Sequence, residues 1–309
     1  MDVTLIVNPI ASSVTRRARI VIQKALAADH RLTVSETTRR GQAIRLAHSA
    51  ARSGADVVVA LGGDGTVNEV ANGVLGEECA VAPLPGGSTN VFARAVGYPN
   101  DAIEATGTLV EALAAGSVRT ANVGTANGRA FLFHVGAGFD AAVVSRVERR
   151  GPLKRYLGHP LFIATTIATW LDARRAGDGA FDVTADDGRR VDGARLAIAL
   201  NCSPYTYLGH KPLRLAPEAS LDTPLSLVAL TSLAPTVVPL LLAATRRATG
   251  LRHGGPAHHW SRVAGATIRG DIPFPYQLDG EAMEPTAELR LEHRPAALRL
   301  VVPATAQGC

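Results

Sequence analysis

Hydrophobic positions fall into two different patterns along this chain. Up to about residue 120, short continuous apolar runs alternate with stretches of helical period. Residues 3–7, VTLIV, form a β-branched run halted at Asn8-Pro9, because a residue before proline is pushed out of the helical region. A helix is predicted next, with Ile20, Ala25 and Leu26 among its apolar positions. RLTVSETT (31–38) reads as a second strand, GQAIRLAHSAARSG (41–54) as a helix closed by Gly54, and ADVVVAL (55–61) as a third strand. AVAPLP (80–85), GGSTN (86–90) and VFARAVG (91–97) repeat the strand, loop and helix arrangement. Valine-rich runs separated by helices indicate a parallel sheet covered on both faces.

Beyond residue 120 the pattern becomes strand and turn. Asn127-Gly128 between two strand-like runs is a strong hairpin signal. Further strands are predicted at 181–185, 195–200, 225–230 and 263–268, giving a second, mainly antiparallel β-rich domain. By pattern alone, ALRLVVP (297–303) could join either domain. The uncharged stretch from Thr223 to Thr245 approaches the length of a membrane span, but Pro224, Pro235 and Pro239 interrupt it. It reads instead as a strand, LSLVAL, followed by a turn and a helix.

Composition narrows the partners. Three scattered cysteines, Cys79, Cys202 and Cys309, supply neither a CxxC spacing nor a disulfide framework, and the N-terminal segment lacks a signal-peptide pattern. A reducing, cytoplasmic setting is expected. The net charge of +5 favours anionic partners such as nucleotides or an acidic membrane surface. Aromatics at 5% argue against a stacking surface for nucleic acid, so none is expected as a partner. The segment 151–175 joins basic residues to an apolar run suited either to a membrane surface or to ordinary packing.

Candidate chemistry centres on GGDGTVNE (62–69). Thr66 and Glu69 match a capping box and Asp64 suits a helix start, which leaves Gly62, Gly63 and Gly65 to be assigned to close approach of a phosphate-bearing ligand. No GK[ST] is present, so a Walker A loop is excluded. Helix N-termini after both glycine-rich loops offer amides to phosphate. GAGFDA (136–141) satisfies a dinucleotide fingerprint but lies outside the parallel unit, so a bulged strand or turn is favoured there. His258 and His259, adjacent on an extended chain, point to opposite sides and form no metal pair.

VNPIA, TTRRGQA, GGDGTVNEV, LPGGSTNVFAR and QLDGE, in this order, resemble the soluble bacterial diacylglycerol kinase family, grouped with sphingosine kinases and more distantly with NAD kinases. The resemblance implies an ATP- and Mg²⁺-dependent lipid kinase: an α/β nucleotide domain at 1–121 plus 296–309, rejoined by the C-terminal strand, a β-rich lipid domain at 122–295, and a cleft between them. It matches ATP contacts to Asn8, Pro9, Ile10, Ala11, Ser12, Thr38, Gly62, Gly63, Asp64, Gly65, Thr66, Val67, Asn68, Gly87, Ser88, Thr89 and Asn90. It matches Asp279 and Glu281 to the acidic motif assigned the general base, with Asp64 a competitor by analogy with sphingosine kinases. Diacylglycerol is the expected acceptor, and the expected setting is cytoplasmic with peripheral membrane association; a homodimer is left open.

Two positions depart from the family pattern. Val91 stands where many members have an acid. At Ser220, Asp222, Thr223 and Leu225, matched to a structural Mg²⁺ site, Thr223 replaces the second acid and Pro224 the glycine, so that site is expected to be weakened or absent. Arg94 is a candidate supplementary cation. Three other readings stand beside the leading one: a kinase of a sphingosine-like or other lipid alcohol, an NAD kinase, and a catalytically silent nucleotide-binding regulator.

Overall fold

The computed structural model describes residues 1–148, 180–234 and 254–303. Two compact units divide the chain, Met1–Asn122 with Pro295–Cys309 and Val123–Arg294. In the first, the order is β1 (Asp2–Val7), α1 (Arg16–Asp29), β2 (Arg31–Glu36), α2 (Gln42–Arg52), β3 (Val57–Gly62), α3 (Asp64–Val74), β4 (Ala80–Pro85), α4 (Val91–Ala95) and α5 (Ala102–Ala114), before β5 (Val118–Ala126) leads out.

The strands align in parallel as β2-β1-β3-β4. Every residue of β3 and β4 is buried, as their unbroken apolar composition requires, whereas the edge strand β2 is largely exposed. The chain's last strand returns here: Leu300 pairs in parallel with Val81, and the Tyr98 hydroxyl donates to the Val301 carbonyl at 3.1 Å.

Thr15 caps α1 by accepting from the Ala18 amide at 3.1 Å, and the helix buries Ala18, Ile22 and Leu26 at a spacing of four. Ile20, one of the apolar positions of the predicted helix, lies off that stripe and is 46% exposed. Helix α5, which the apolar pattern did not reveal, begins at Asp101, whose carboxylate accepts from the Ile103 and Glu104 amides. Helices α2 and α3 meet at Gly73, where an added Cβ would lie 2.4 Å from the Ile44 carbonyl and 2.8 Å from Ala47 Cβ.

The second unit continues with β6 (Arg129–Phe131), β7 (His134–Gly138), α6 (Phe139–Glu148), β8 (Phe181–Ala185), β9 (Arg190–Ala194), β10 (Leu196–Leu200), β11 (Thr206–Leu208), β12 (Lys211–Leu213), β13 (Leu225–Leu230), β14 (Ala257–Val263), β15 (Gly265–Phe274), β16 (Tyr276–Leu278), β17 (Glu281–Ala282) and β18 (Thr286–Val301). One sheet runs β14-β13-β10-β7-β16-β17 and is antiparallel throughout. Strand β15 pairs antiparallel with β8 and with the first part of β18. Phe131, Phe181, Trp260, Phe274, Leu289 and Leu291 belong to the unit's main core. The Asn127-Gly128 turn has φ of 48° and 83°, the primed geometry that the dipeptide signals, and joins β5 to β6.

LSLVAL is the strand β13, as expected, while the predicted helix after it and the segment 151–175 fall outside the described residues. Among the described residues no helix is long and apolar enough to cross a membrane.

Close helix packing at Gly73 gives a test of sign. Alanine is the better helix former by about 1 kcal/mol, yet the overpacked Cβ is expected to leave Gly73→Ala about 1–3 kcal/mol less stable. Urea denaturation reads the difference, and a stabilised variant would contradict this packing.

Candidate active site

Three loops follow the C-terminal ends of β1, β3 and β4, adjacent strands of the parallel sheet, and they are locked to one another. Asn8, after β1, donates from Nδ2 to Thr66 Oγ1 at 3.1 Å and accepts from the Ile10 amide at 3.2 Å. Ser13 donates its amide to the Gly86 carbonyl at 2.9 Å and its hydroxyl to the Gly87 carbonyl at 3.0 Å. The Gly86 amide donates to the Gly62 carbonyl at 2.7 Å. Asp64 completes the lock, its two carboxylate oxygens accepting from the Val91 and Phe92 amides at 3.0 Å each.

Glycine is therefore demanded by the protein itself. A Cβ on Gly86 would lie 2.8 Å from the Gly62 Cα, one on Gly87 would lie 2.8 Å from the Gly63 Cα, and one on Gly62 would strike the Thr66 side chain at 2.5 Å. At Gly62 and Gly86 the backbones of two loops touch, which supplies a structural reason for the repetition beside any ligand.

The N-terminus of α4 differs from its expected role. Its Val91 and Phe92 amides are taken by Asp64, because a carboxylate from the neighbouring loop already meets the needs of those orphan donors. The first turn of α3 keeps the geometry suited to an anion: Thr66 and Val67 donate to the Gly63 carbonyl, with Gly63, Asp64 and Gly65 ahead of them. The capping box is also corrected. Gly63 is the cap residue of α3, and Glu69 instead accepts from the Gly41 and Ala43 amides at 2.7 and 2.9 Å, capping α2.

Other candidate positions sort by exposure. Ile10, Ser12, Thr38 and Ser88 are exposed, Pro9, Ala11, Gly87 and Thr89 half-buried, and Val67 and Asn68 buried one turn into α3. Thr38 is tethered through its amide and hydroxyl to Gln42 Oε1 at 2.6 and 2.9 Å. Asn90, at φ 50°, closes its loop by accepting from the Gly87 amide and donating to the Gly87 carbonyl and to Asn100. Arg94 donates to the Thr89 carbonyl at 3.4 Å. Ser13 and Asn100 were missed by sequence reasoning because a serine or asparagine beside a motif carries no signal of its own, and Gly86 and Gln42 lay inside quoted motifs without being singled out.

In the second unit, Asp279 and Gly280, at φ 48° and 79°, form the tight turn that pairs Leu278 with Glu281. The Asp279 carboxylate accepts from the amides of Leu132, Phe133 and His134 at 2.7, 3.0 and 3.1 Å and is 3% exposed. Glu281 is more open and lies 3.7 Å from the Arg129 guanidinium. GAGFDA becomes the end of the antiparallel strand β7 running into α6, in keeping with the rejection of a dinucleotide loop. Asp140 from that stretch is buried, bonded by the Tyr205 hydroxyl at 2.5 Å and the Gln277 amide nitrogen at 2.8 Å, and burial holds its carboxyl above the usual range.

Ser220 and Thr223 form a turn closed on itself. The Thr223 hydroxyl donates to the Ser220 carbonyl at 3.2 Å, and its oxygen accepts from the Ser220 amide at 3.3 Å. Among these four positions Asp222 is the one carboxylate, on an exposed residue, a donor set that does not fit a structural Mg²⁺. Among the described residues no group of three or more His, Cys, Asp and Glu could hold a metal. His259 bonds Glu218 at 2.7 Å.

These loops on a parallel sheet, joined to a β-rich unit, define a two-unit α/β fold. Solved Bacillus anthracis proteins described as diacylglycerol kinases superpose with TM-scores of 0.78 and 0.72 at 25% and 22% identity, covering 99% of this chain and 98% of theirs. An NAD kinase from Archaeoglobus fulgidus, solved with ATP, shares the fold at a TM-score of 0.54 and 11% identity, covering 99% of this chain and 95% of its own. The diacylglycerol kinase catalytic domain profile matches residues 2–126. A YegS-like lipid kinase of Pseudomonas aeruginosa is 30% identical over 93% of this chain and 89% of its own length, and the diacylglycerol kinase of Bacillus subtilis is 37% identical over 38% and 39%. The chain belongs to this diacylglycerol kinase and YegS-like lipid kinase family.

His134 supplies a pH test. Burial pushes its imidazole down to about 3, and its Nδ1 has no hydrogen-bond partner among the described residues. The unfolded chain therefore binds the extra proton between about pH 6.5 and 3, and stability falls as pH drops through that window, by at most about 1.4 kcal/mol per pH unit. Asp140, with its carboxyl raised, acts in the opposite sense. The measured quantity is thus the difference between wild type and His134→Phe, and the variant is expected to show the shallower loss on acidification.

Proposed function

We propose that this chain transfers the γ-phosphoryl group of ATP to the hydroxyl of a lipid, with diacylglycerol as the acceptor and phosphatidic acid as the product. The observation that carries the reading is the interlock of Asn8, Gly62, Asp64 and Gly86, which fixes backbone amides at the first turn of α3 where phosphate is best received. Membership of a lipid kinase family supplies the acceptor class.

Within this reading the first unit binds and orients the nucleotide. Gly63, Asp64 and Gly65 would face phosphate through their amides, with Ser88 and Thr89 beside them and Asn8 and Thr38 nearer the nucleoside. ATP supplies the transferable phosphoryl group, and Mg²⁺ would be held mainly by its phosphates. Phosphoryl transfer asks the protein chiefly for positioning, charge neutralisation and a proton acceptor.

Among the three carboxylates, Glu281 suits proton acceptance. Asp64 and Asp279 each hold backbone amides with both oxygens, so they act as anchors that position a loop and a turn respectively. The lipid proton passes to Glu281 as the hydroxyl oxygen forms its bond to phosphorus and the bond to the β-phosphate oxygen breaks. A net charge of +5 supports docking on an anionic membrane from the cytoplasmic side.

The test is transfer from γ-labelled ATP with Mg²⁺ to diacylglycerol, sphingosine, monoacylglycerol, an undecaprenol-type alcohol and NAD. Label in diacylglycerol is expected, falling about 100-fold or more in Glu281→Gln with KM for ATP held within about threefold. Label in another lipid would move the substrate, and label in NAD would move the protein to the activity of its A. fulgidus fold relative. No label despite ATP binding would overturn the kinase reading.

A further inference from the structure

A buried polar chain leads to the Asp279-Gly280 turn, and nothing in the reaction as described uses it. Gln277, in β16, is fully buried. Its Oε1 accepts from the Gly280 amide at 2.8 Å and its Nε2 donates to Asp140 Oδ2 at 2.8 Å. The other Asp140 oxygen accepts from the Tyr205 hydroxyl. Gly136 leaves the space for this junction, since a Cβ there would lie 1.8 Å from Asp140 Oδ2 and 2.8 Å from Gln277 Nε2.

Each bond in the chain dictates the direction of the next. A backbone N–H can only donate, so Gly280 forces the oxygen end of the Gln277 amide towards the turn. The nitrogen end must then face Asp140, where it needs an acceptor, and the Tyr205 hydroxyl supplies a second donor to the same carboxylate. A carboxylate accepts on both oxygens, whereas an asparagine offers one acceptor and one donor. Burial raises the stakes, because a donor turned against a donor away from water loses its hydrogen bond without compensation.

We propose that Asp140 is a positioning residue for the phosphoryl-transfer reaction: by fixing the amide orientation of Gln277 it holds Gly280, and through the turn it sets Glu281. The proposal rests on the reading of Glu281 as proton acceptor. The turn is thereby pinned at two points, the Asp279 carboxylate on the β7 side and the Gly280 amide on the Gln277 side. Glu281, immediately after them, inherits its backbone direction from both.

The chain's polarity provides its own control. In Asp140→Asn one of the two acceptors is lost: with the asparagine oxygen kept by the Tyr205 hydroxyl, the new NH₂ opposes Gln277 Nε2, and a flipped Gln277 presents its NH₂ to the Gly280 amide. In Gln277→Glu two carboxylates face each other. The double variant Asp140→Asn/Gln277→Glu restores donor to acceptor along the whole path and keeps the same total charge.

The experiment measures kcat and KM for ATP and diacylglycerol in the two single variants and the double variant, together with hydrogen exchange at the Gly280 amide. Each single variant is expected to lose at least about tenfold in kcat, with KM for ATP within about twofold. Gly280 exchange is expected to quicken in Asp140→Asn, and the double variant to return to within about threefold of wild type in both readouts. A wild-type kcat in Asp140→Asn, or a double variant no better than the singles, would overturn the proposal. If the wild-type protein labels no acceptor, the functional reading fails by itself and Gly280 exchange decides the positioning role: quickened in Asp140→Asn and restored in the double variant supports it, unchanged in Asp140→Asn overturns it.

Discussion

The first unit depends on a contact between two main chains. Gly62 and Gly86 approach until no Cβ fits between them, and the Gly86 amide bonds the Gly62 carbonyl across the gap. Strands β3 and β4 run side by side, so the loops that leave them must either diverge or lie against each other. Glycine permits the second outcome, and Asp64 fixes it by capping α4 from the other loop. The carboxylate meets each amide with a separate oxygen, which gives an acid a structural reason to sit inside a motif expected to receive anions.

The same economy recurs elsewhere. Glu69, Asp64 and Asp279 are acids whose oxygens are spent on backbone amides of another segment: Glu69 on α2, Asp64 on α4, Asp279 on the approach to β7. A buried carboxylate with two or three amide partners replaces its lost hydration with fixed donors, and it ties together chain segments that no helix or sheet ladder connects. In this family such acids keep the loops rigid.

Legibility in the sequence followed the range of the interactions. The parallel strands were readable because buried strands are written as unbroken Val and Leu runs, and the Asn127-Gly128 turn because its two positive φ values restrict the residues that fit. The glycine-rich blocks were visible too, yet half their meaning was not: a glycine kept for a ligand and one kept for a neighbouring loop look the same in one dimension. Glu69 fits a local capping box by spacing and was claimed instead by a helix 26 residues away, since α2 lies against α3 at Gly73. Helix α5 escaped notice because its apolar stripe is broad and alanine-rich, giving little contrast.

In the second unit the decisive residues were the least legible. Asp140 stood out only as an acid beside glycines, Gln277 only as the first residue of QLDGE, and Tyr205 not at all, since their importance is a matter of which atom faces which. Spacing can place an acid next to a turn, but it cannot give an amide its direction. That direction follows from Gly280, whose N–H admits one answer, and it propagates inward until it ends on a group that accepts twice. An aspartate 140 residues from the turn's glycine is thus constrained by hydrogen-bond polarity alone, a constraint that neither hydrophobic patterning nor motif spacing encodes.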